Sequence, residues 1–206
     1  MNQAYNGSAG ESQRLGAESP GGMDMYGMVN RAIEEYVRAK AGDEGWLEVA
    51  RSAGLSSETF VSMEPYPDKV SFDLVGATCQ KLGLPASVVL EDLGVYWIEF
   101  AQQQGYANLL RLAGDNLPDI LRNLDNLHAR VRLNFTELQM PTFWCTDDDG
   151  SKMTVHYRSI RAGLSYFVIG LFHGLAKMLA VSISVEQTKS KSDGADHDEF
   201  LVTYRK

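Results

Sequence analysis

The sequence predicts an α+β fold, with a helical N-terminal half and a C-terminal antiparallel sheet against which helices pack. Three observations carry that expectation. In the first two thirds of the chain, apolar residues recur every three or four positions, as in Met28, Ala32, Ile33, Tyr36 and Val37. After Pro141 the period changes, because Met153, Val155 and Tyr157 alternate with Thr154, His156 and Arg158, the two-residue repeat of a half-buried strand. Gly, Pro and Asp-rich turns fall between these segments and punctuate them.

Taken in order, the segment 1–24 is rich in Gly, Ser, Glu and Asn and reads as a disordered extension, so the domain is expected over 25–206. That extension has neither the apolar run of a signal peptide nor a Met-Gly opening. An amphipathic helix begins near Met25, and further helices are expected over Glu44–Ala53, Val70–Leu82 and Ser87–Gln104, with Gly83 and Pro85 separating the last two. Asn116 ahead of Leu117-Pro118-Asp119 is an N-cap signal, so a helix is expected from Pro118 to Leu138. Asp147-Asp148-Asp149-Gly150 forms the turn of a hairpin between strands at Phe143–Thr146 and Met153–Tyr157. The apolar run Tyr166–Ile183 is broken by Gly170, His173, Gly174 and Lys177 and reads as a buried helix rather than a membrane span. Alternation at Ile183–Glu186 and the segment Phe200–Tyr204 supply the remaining strands.

Composition narrows function. A chain of 206 residues with 44% apolar content suffices for one well-buried core. A net charge of -8 argues against nucleic acid, since phosphates demand clustered Lys and Arg and the one basic cluster, Lys189 and Lys191, is too small. Cys79 and Cys145 form no disulfide framework and suit a reducing cytoplasm. His156, His173 and His197 lack zinc-ligand spacing with either cysteine, so no zinc site is expected from the pattern. No Cys-x-x-Cys-His is present, which excludes covalent attachment of a c-type haem.

Two constellations carry chemistry. His128 lies on the stripe formed by Leu124, Leu127 and Val131, so it points inward. It reads either as a core histidine satisfied by hydrogen bonds or as a metal or haem ligand, and spacing alone leaves both open. Tyr157, Ser159 and Arg161 stand at alternate positions across the end of a strand, a row of donors able to bind an anion; a merely exposed polar edge gives the same pattern.

At these residues the chain resembles the haem-nitric oxide/oxygen-binding (H-NOX) domain, found alone in bacteria and as the sensor of soluble guanylate cyclase β subunits. Met25-Tyr26-Gly27-Met28-Val29-Asn30 is similar to that family's opening, Asn123 to His128 to the segment with its proximal haem ligand, and Tyr157-Arg158-Ser159-Ile160-Arg161 to its Y-x-S-x-R motif. The resemblance covers about Met25 to the C-terminus, with bacterial, cyanobacterial-type members most alike. It implies one non-covalent b-type haem, its iron bound by His128 and its propionates by Tyr157, Ser159 and Arg161. Pro141 matches a proline that presses on the haem, Val29, Ile33, Trp97 and Phe167 match positions lining the distal pocket, and Cys145 matches a cysteine near the haem of guanylate cyclase β chains.

The resemblance further implies a sensor of NO, and of CO, rather than an enzyme, in which loss or weakening of the iron–His128 bond frees the helix that carries it. The partner is then a histidine kinase, diguanylate cyclase or guanylate cyclase acting in trans, or an output domain beyond this sequence. Rival readings are an oxygen-binding sensor, a haem peroxidase and a cofactor-free interaction module. Oxygen-binding members place a tyrosine over the iron. An ungapped count from Arg161 puts Tyr166 there, whereas the Gly163-Leu164 and Val168-Ile169-Gly170 flanks put Phe167 there, and one residue is about 100° of helix. Phe167 is the expectation, with the indole N–H of Trp97 as a remaining donor.

Overall fold

A computed structural model describes residues 24–55, 59–133 and 138–204. The N-terminal half is helical. Helix α1 (Gly27–Ser52) merges the first two expected helices across a kink at Gly42, whose φ of 72° lies in the left-handed region that glycine enters without a Cβ penalty. Helix α2 (Asp68–Leu82) ends on Gly83, also left-handed, and α3 (Ala86–Ala101) starts after Pro85. Strands β1 (Asp24–Tyr26) and β2 (Pro65–Pro67), which periodicity does not announce, pair antiparallel and hold the start of α1 against the start of α2. Asp24, assigned above to the extension, therefore lies in a strand; the rest of that extension lies outside the described residues.

Two expectations change in the middle of the chain. After a wide π-type turn at Gln102–Tyr106 comes a short helix, α4 (Ala107–Ala113). The helix expected over Pro118–Leu138 is two helices, α5 (Leu117–Arg122) and α6 (Leu124–Arg132). Asn116 does cap α5, accepting from the Asp119 N–H at 3.0 Å. The break comes at Asn123, whose side-chain amide donates to the Ala113 carbonyl at 2.9 Å and so ties this turn to the end of α4 instead of letting it continue the helix. Leu138 belongs to neither helix.

The C-terminal half is a four-stranded antiparallel sheet in the order β3 (Thr142–Thr146), β4 (Lys152–Arg158), β6 (Asp198–Tyr204), β5 (Ile183–Lys189). Met153, Val155 and Tyr157 of β4 and Phe200 and Val202 of β6 are buried on its inner face. Helix α7 (Ser165–Met178) covers that face, with Phe172 edge-on to Phe200. It is shorter than the apolar run suggested, because the chain turns at Ala180 (φ 54°) before β5. Among the described residues no helix is long and apolar enough to cross a membrane.

The two halves are joined through α3 and α7, which cross with their backbones nearly touching. A Cβ at Gly94 would strike the Phe167 carbonyl oxygen, and one at Gly170 the Glu91 carbonyl oxygen; both collisions are with backbone, which cannot rotate away. This contact sets how far apart Trp97 of α3 and Phe167 of α7 can stand. Gly170→Ala is therefore expected to destabilise the domain by about 1–3 kcal/mol, the usual cost of overpacking. Differential scanning calorimetry should record a thermal midpoint several degrees lower, and an unchanged midpoint would contradict the contact.

Candidate functional site

A cavity of about 250 Å³ lies between the helical half and the sheet, at the junction that α3 and α7 define. Val29 and Ile33 of α1, Trp97 of α3 and Phe167 of α7 line it from the helical side, and His128 of α6, Pro141, Tyr157, Ser159 and Arg161 from the other. All nine residues that the family resemblance implies as haem contacts border this one space. The edges of the Trp97 and Phe167 rings meet at 6.4 Å between centroids. Tyr166, one residue earlier on α7, is 44% exposed and points away. The 100° step of the helix thus puts the phenyl ring, not the phenol, on the cavity wall.

His128 is the polar anomaly of an otherwise apolar wall. Its Nδ1 is buried and has no hydrogen-bond partner among the described residues, a state that costs free energy in a folded protein. Burial pushes the imidazole down to about 4, against the opposing pull of the Asp125 carboxylate and of a hydrogen bond to the Pro141 backbone carbonyl, so the ring is neutral at physiological pH. The ring sits 5.5 Å from Phe143, which sits 5.1 Å from Tyr157, so a run of aromatic contacts links α6 to β4.

At the other end, Tyr157 lies on the inner face of β4 while Ser159 and Arg161 follow in the loop beyond Arg158, so the row is only partly a strand. All three are buried, which removes the exposed-edge alternative. Burial raises the Tyr157 phenol to about 12, with the hydrogen bond to Ser159 acting in the opposite direction. The loop is pinned by Lys191, which donates to the Ser159 carbonyl at 2.7 Å, and by the Ser159 hydroxyl, which accepts from the Arg161 N–H at 3.1 Å.

Arg161 has a protein partner that sequence reading missed. Its Nε and Nη2 donate to the two carboxylate oxygens of Asp68 at 2.7 and 3.1 Å, and Nη1 donates to the Gln139 carbonyl at 2.6 Å. Asp68 is the first residue of α2, 93 positions away, and an acidic residue after Pro67 signals only a helix start. The pair compensates a charge that is 6% exposed and fixes the guanidinium plane at the cavity edge. Tyr106, in the irregular turn where periodicity fails, also lines the cavity. Asn30 is fully buried with its Nδ2 unpartnered, its Oδ1 accepting from Ser71 at 2.5 Å between α1 and α2.

Of the remaining candidates, Cys145 is partly buried against the core below the cavity, and its thiol is pushed up to about 11 by burial, as fits a small hydrophobe. Cys79 is likewise raised by burial, and neither cysteine is in a disulfide. His173 lies 3.9 Å from Glu91 at the surface of α7. His156 and His197 meet on the outer face of the sheet, away from the cavity.

Comparison with known proteins bears on the family and the fold. A family model described as "Haem-NO-binding" matches residues 26–187. Soluble guanylate cyclase gcy-31 of Caenorhabditis elegans is 30% identical over 155 residues, 75% of this chain and 22% of that protein. Soluble guanylate cyclase 89Db of Drosophila melanogaster is 28% identical over 153 residues, 74% of this chain and 23% of that protein. The chain thus spans less than a quarter of the length of these relatives. An H-NOX protein from S. oneidensis, crystallised in the Fe(II)NO ligation state, superposes with a TM-score of 0.81 at 20% identity, covering 88% of this chain and all of that one. The unliganded Fe(II) H-NOX protein from K. algicida gives 0.77 at 21% identity over 88% of this chain. These likenesses show the fold.

The depressed titration of His128 has a measurable consequence in the ligand-free chain. Between about 4 and the ordinary value near 6.5 the unfolded state binds a proton at this ring and the folded state does not, so stability falls as pH drops through that window. The full effect is about 3 kcal/mol, from 1.36 kcal/mol per pH unit. Urea unfolding of the ligand-free chain from pH 7 to pH 4 should show this loss, and His128→Phe should show a correspondingly shallower one; equal slopes would mean that the imidazole is not buried.

Proposed function

The chain belongs to the Haem-NO-binding family, and on that premise we propose that its cavity holds one b-type haem through His128 and that the domain senses nitric oxide, with carbon monoxide as a second ligand. The observation that carries this reading is the buried, neutral imidazole whose Nδ1 lacks a partner on the wall of an apolar cavity. A core histidine normally satisfies both ring nitrogens, whereas neutral imidazole is a good ligand for iron.

Tyr157, Ser159 and Arg161 would hold the propionates, and Pro141, Val29, Ile33, Trp97 and Phe167 would supply apolar contact. Bound there, haem supplies an iron centre that takes a diatomic gas. The protein's own part is to exclude water with Phe167, Trp97 and Ile33, to present His128 unprotonated, and to keep Arg161 oriented through Asp68 before any carboxylate arrives. His128 sits on α6, a nine-residue helix that breaks at Asn123. A short element of this kind, held otherwise by apolar contacts of Leu124, Leu127 and Val131, can shift as a unit when the bond to His128 is released, and that is what a ligand-biased switch requires.

The domain is a sensor and not an enzyme. Its output is read by a partner in trans or by an attached output domain, of guanylate cyclase, histidine kinase or diguanylate cyclase type, in a cytoplasmic setting. One observation favours a second reading, oxygen sensing: Trp97 and Tyr106, residue types that carry an N–H and an O–H donor, both line the cavity.

Absorption spectra of the purified chain test both readings. His128→Gly should lose the native haem spectrum and regain it when imidazole is added to fill the vacated space. A variant with the wild-type spectrum would remove His128 from the role of ligand. The ferrous wild-type chain should respond to NO and to CO yet show no long-lived additional form in air, since Phe167 rather than Tyr166 faces the cavity. If a stable aerobic form is seen and vanishes in Trp97→Phe or Tyr106→Phe, the oxygen reading replaces the NO reading.

A further inference from the structure

We propose that His156, His197 and Glu199 form a zinc(II) site on the outer face of the four-stranded sheet, separate from the cavity. His156 pairs directly with Glu199 across β4 and β6, and His197 immediately precedes β6. Because neighbouring strand residues face opposite ways, Val155 and Tyr157 point to the core while His156 points outward. Cysteine-based spacing rules missed the site, since its residues are brought together by strand register over 41 positions.

The three ligating atoms are already at metal-site separations. His156 Nδ1 lies 2.9 Å from His197 Nε2 and 3.5 Å from Glu199 Oε1, and His197 Nε2 lies 3.3 Å from that same oxygen. A tetrahedral zinc ion with bonds of about 2.0–2.1 Å spaces its ligand atoms about 3.3 Å apart. A shift of a few tenths of an ångström therefore completes three of four positions, with water as the fourth ligand.

The surrounding hydrogen bonds turn lone pairs toward that point. In the tautomer in which Thr146 Oγ1 donates to Asp147 at 2.9 Å and accepts from His156 Nε2 at 2.8 Å, His156 Nδ1 carries a lone pair. His197 Nδ1 donates to Asp196 at 2.6 Å, which leaves the lone pair on its Nε2. The Glu199 carboxylate is an acceptor only. Three acceptors within 3.5 Å of one another repel unless a proton or a cation lies among them. Fixing each ring through its other nitrogen is what outer partners do at zinc sites.

The site is also rigid and shielded. Trp144 stacks on His156 with parallel planes at 4.8 Å and contacts His197 at the same separation, and each of the three ligands is 9% exposed. Two imidazoles and one carboxylate suit zinc better than calcium or magnesium, which take oxygen ligands. Lys189, which donates to Glu199 Oε1 at 2.6 Å, is the competitor, but its side chain is 57% exposed and free to swing into solvent.

The test is zinc chloride titration of the full chain, stripped with a chelator, dialysed and followed by calorimetry, with zinc counted separately from iron. One zinc per chain should bind, and zinc-edge X-ray absorption should report only nitrogen and oxygen ligands at about 2.0–2.1 Å. His156→Ala and the near-isosteric Glu199→Gln should each weaken binding by more than about tenfold, the scale on which even outer partners of metal ligands act. His173→Ala should leave it unchanged. Lys189→Ala should tighten it by removing the competitor, which a purely structural polar cluster would not do. Absence of zinc uptake, or full affinity in Glu199→Gln with its circular dichroism intact, would overturn the site.

Discussion

The close crossing of α3 and α7 is the constraint on which the rest of the molecule depends. Gly94 and Gly170 let the two backbones approach to a distance that no side chain would allow. The large residues flanking that contact, Trp97 on one helix and Phe167 on the other, cannot fit into it and are turned to its side. They become the roof of a space whose floor is the inner face of β4 and the α6 helix. The cavity is thus a product of how a helical half and a sheet half are fastened together, and its apolar character follows from being lined by what would otherwise be core.

Placing polar groups in such a space is costly, and the structure treats each differently. Arg161 is neutralised in place by Asp68 and the Gln139 carbonyl, the arrangement that makes a buried guanidinium tolerable. Tyr157 keeps its proton and bonds to Ser159. His128 is left with Nδ1 unsatisfied, at a cost that packing elsewhere must offset. Unsatisfied or strained groups of this type gather at functional sites.

Much of this was legible because side-chain periodicity is a local property. The strand through Met153, Val155 and Tyr157, the inward face of His128 and the cap at Asn116 are each dictated by residues within a few positions. What stayed hidden depends on distant partners. The α5–α6 break at Asn123 needs the Ala113 carbonyl, the anchoring of Arg161 needs Asp68, and the short paired strands β1 and β2 have too few residues to show a period. Tyr106 was lost in a turn that follows no helical repeat. The choice between Tyr166 and Phe167 lies between these cases. Flanking residues indicated a register, but only the crossing with α3 determines which ring faces inward.

Strand β4 shows how one local rule serves two chemistries. Its alternation sends Tyr157 to the cavity and His156 to the opposite face, one residue apart, so each group is insulated from the other by the thickness of the sheet. The loop that follows is tied on both sides as well, Arg161 to Asp68 of the helical half and Ser159 to Lys191 beyond β5. Lys189, two residues before Lys191, pairs with Glu199. A shift of the β5 end would therefore be felt both by the Ser159 carbonyl at the cavity rim and by the carboxylate of the outer cluster. The sheet couples its two faces through the segment 189–191, with no side chain passing from one face to the other.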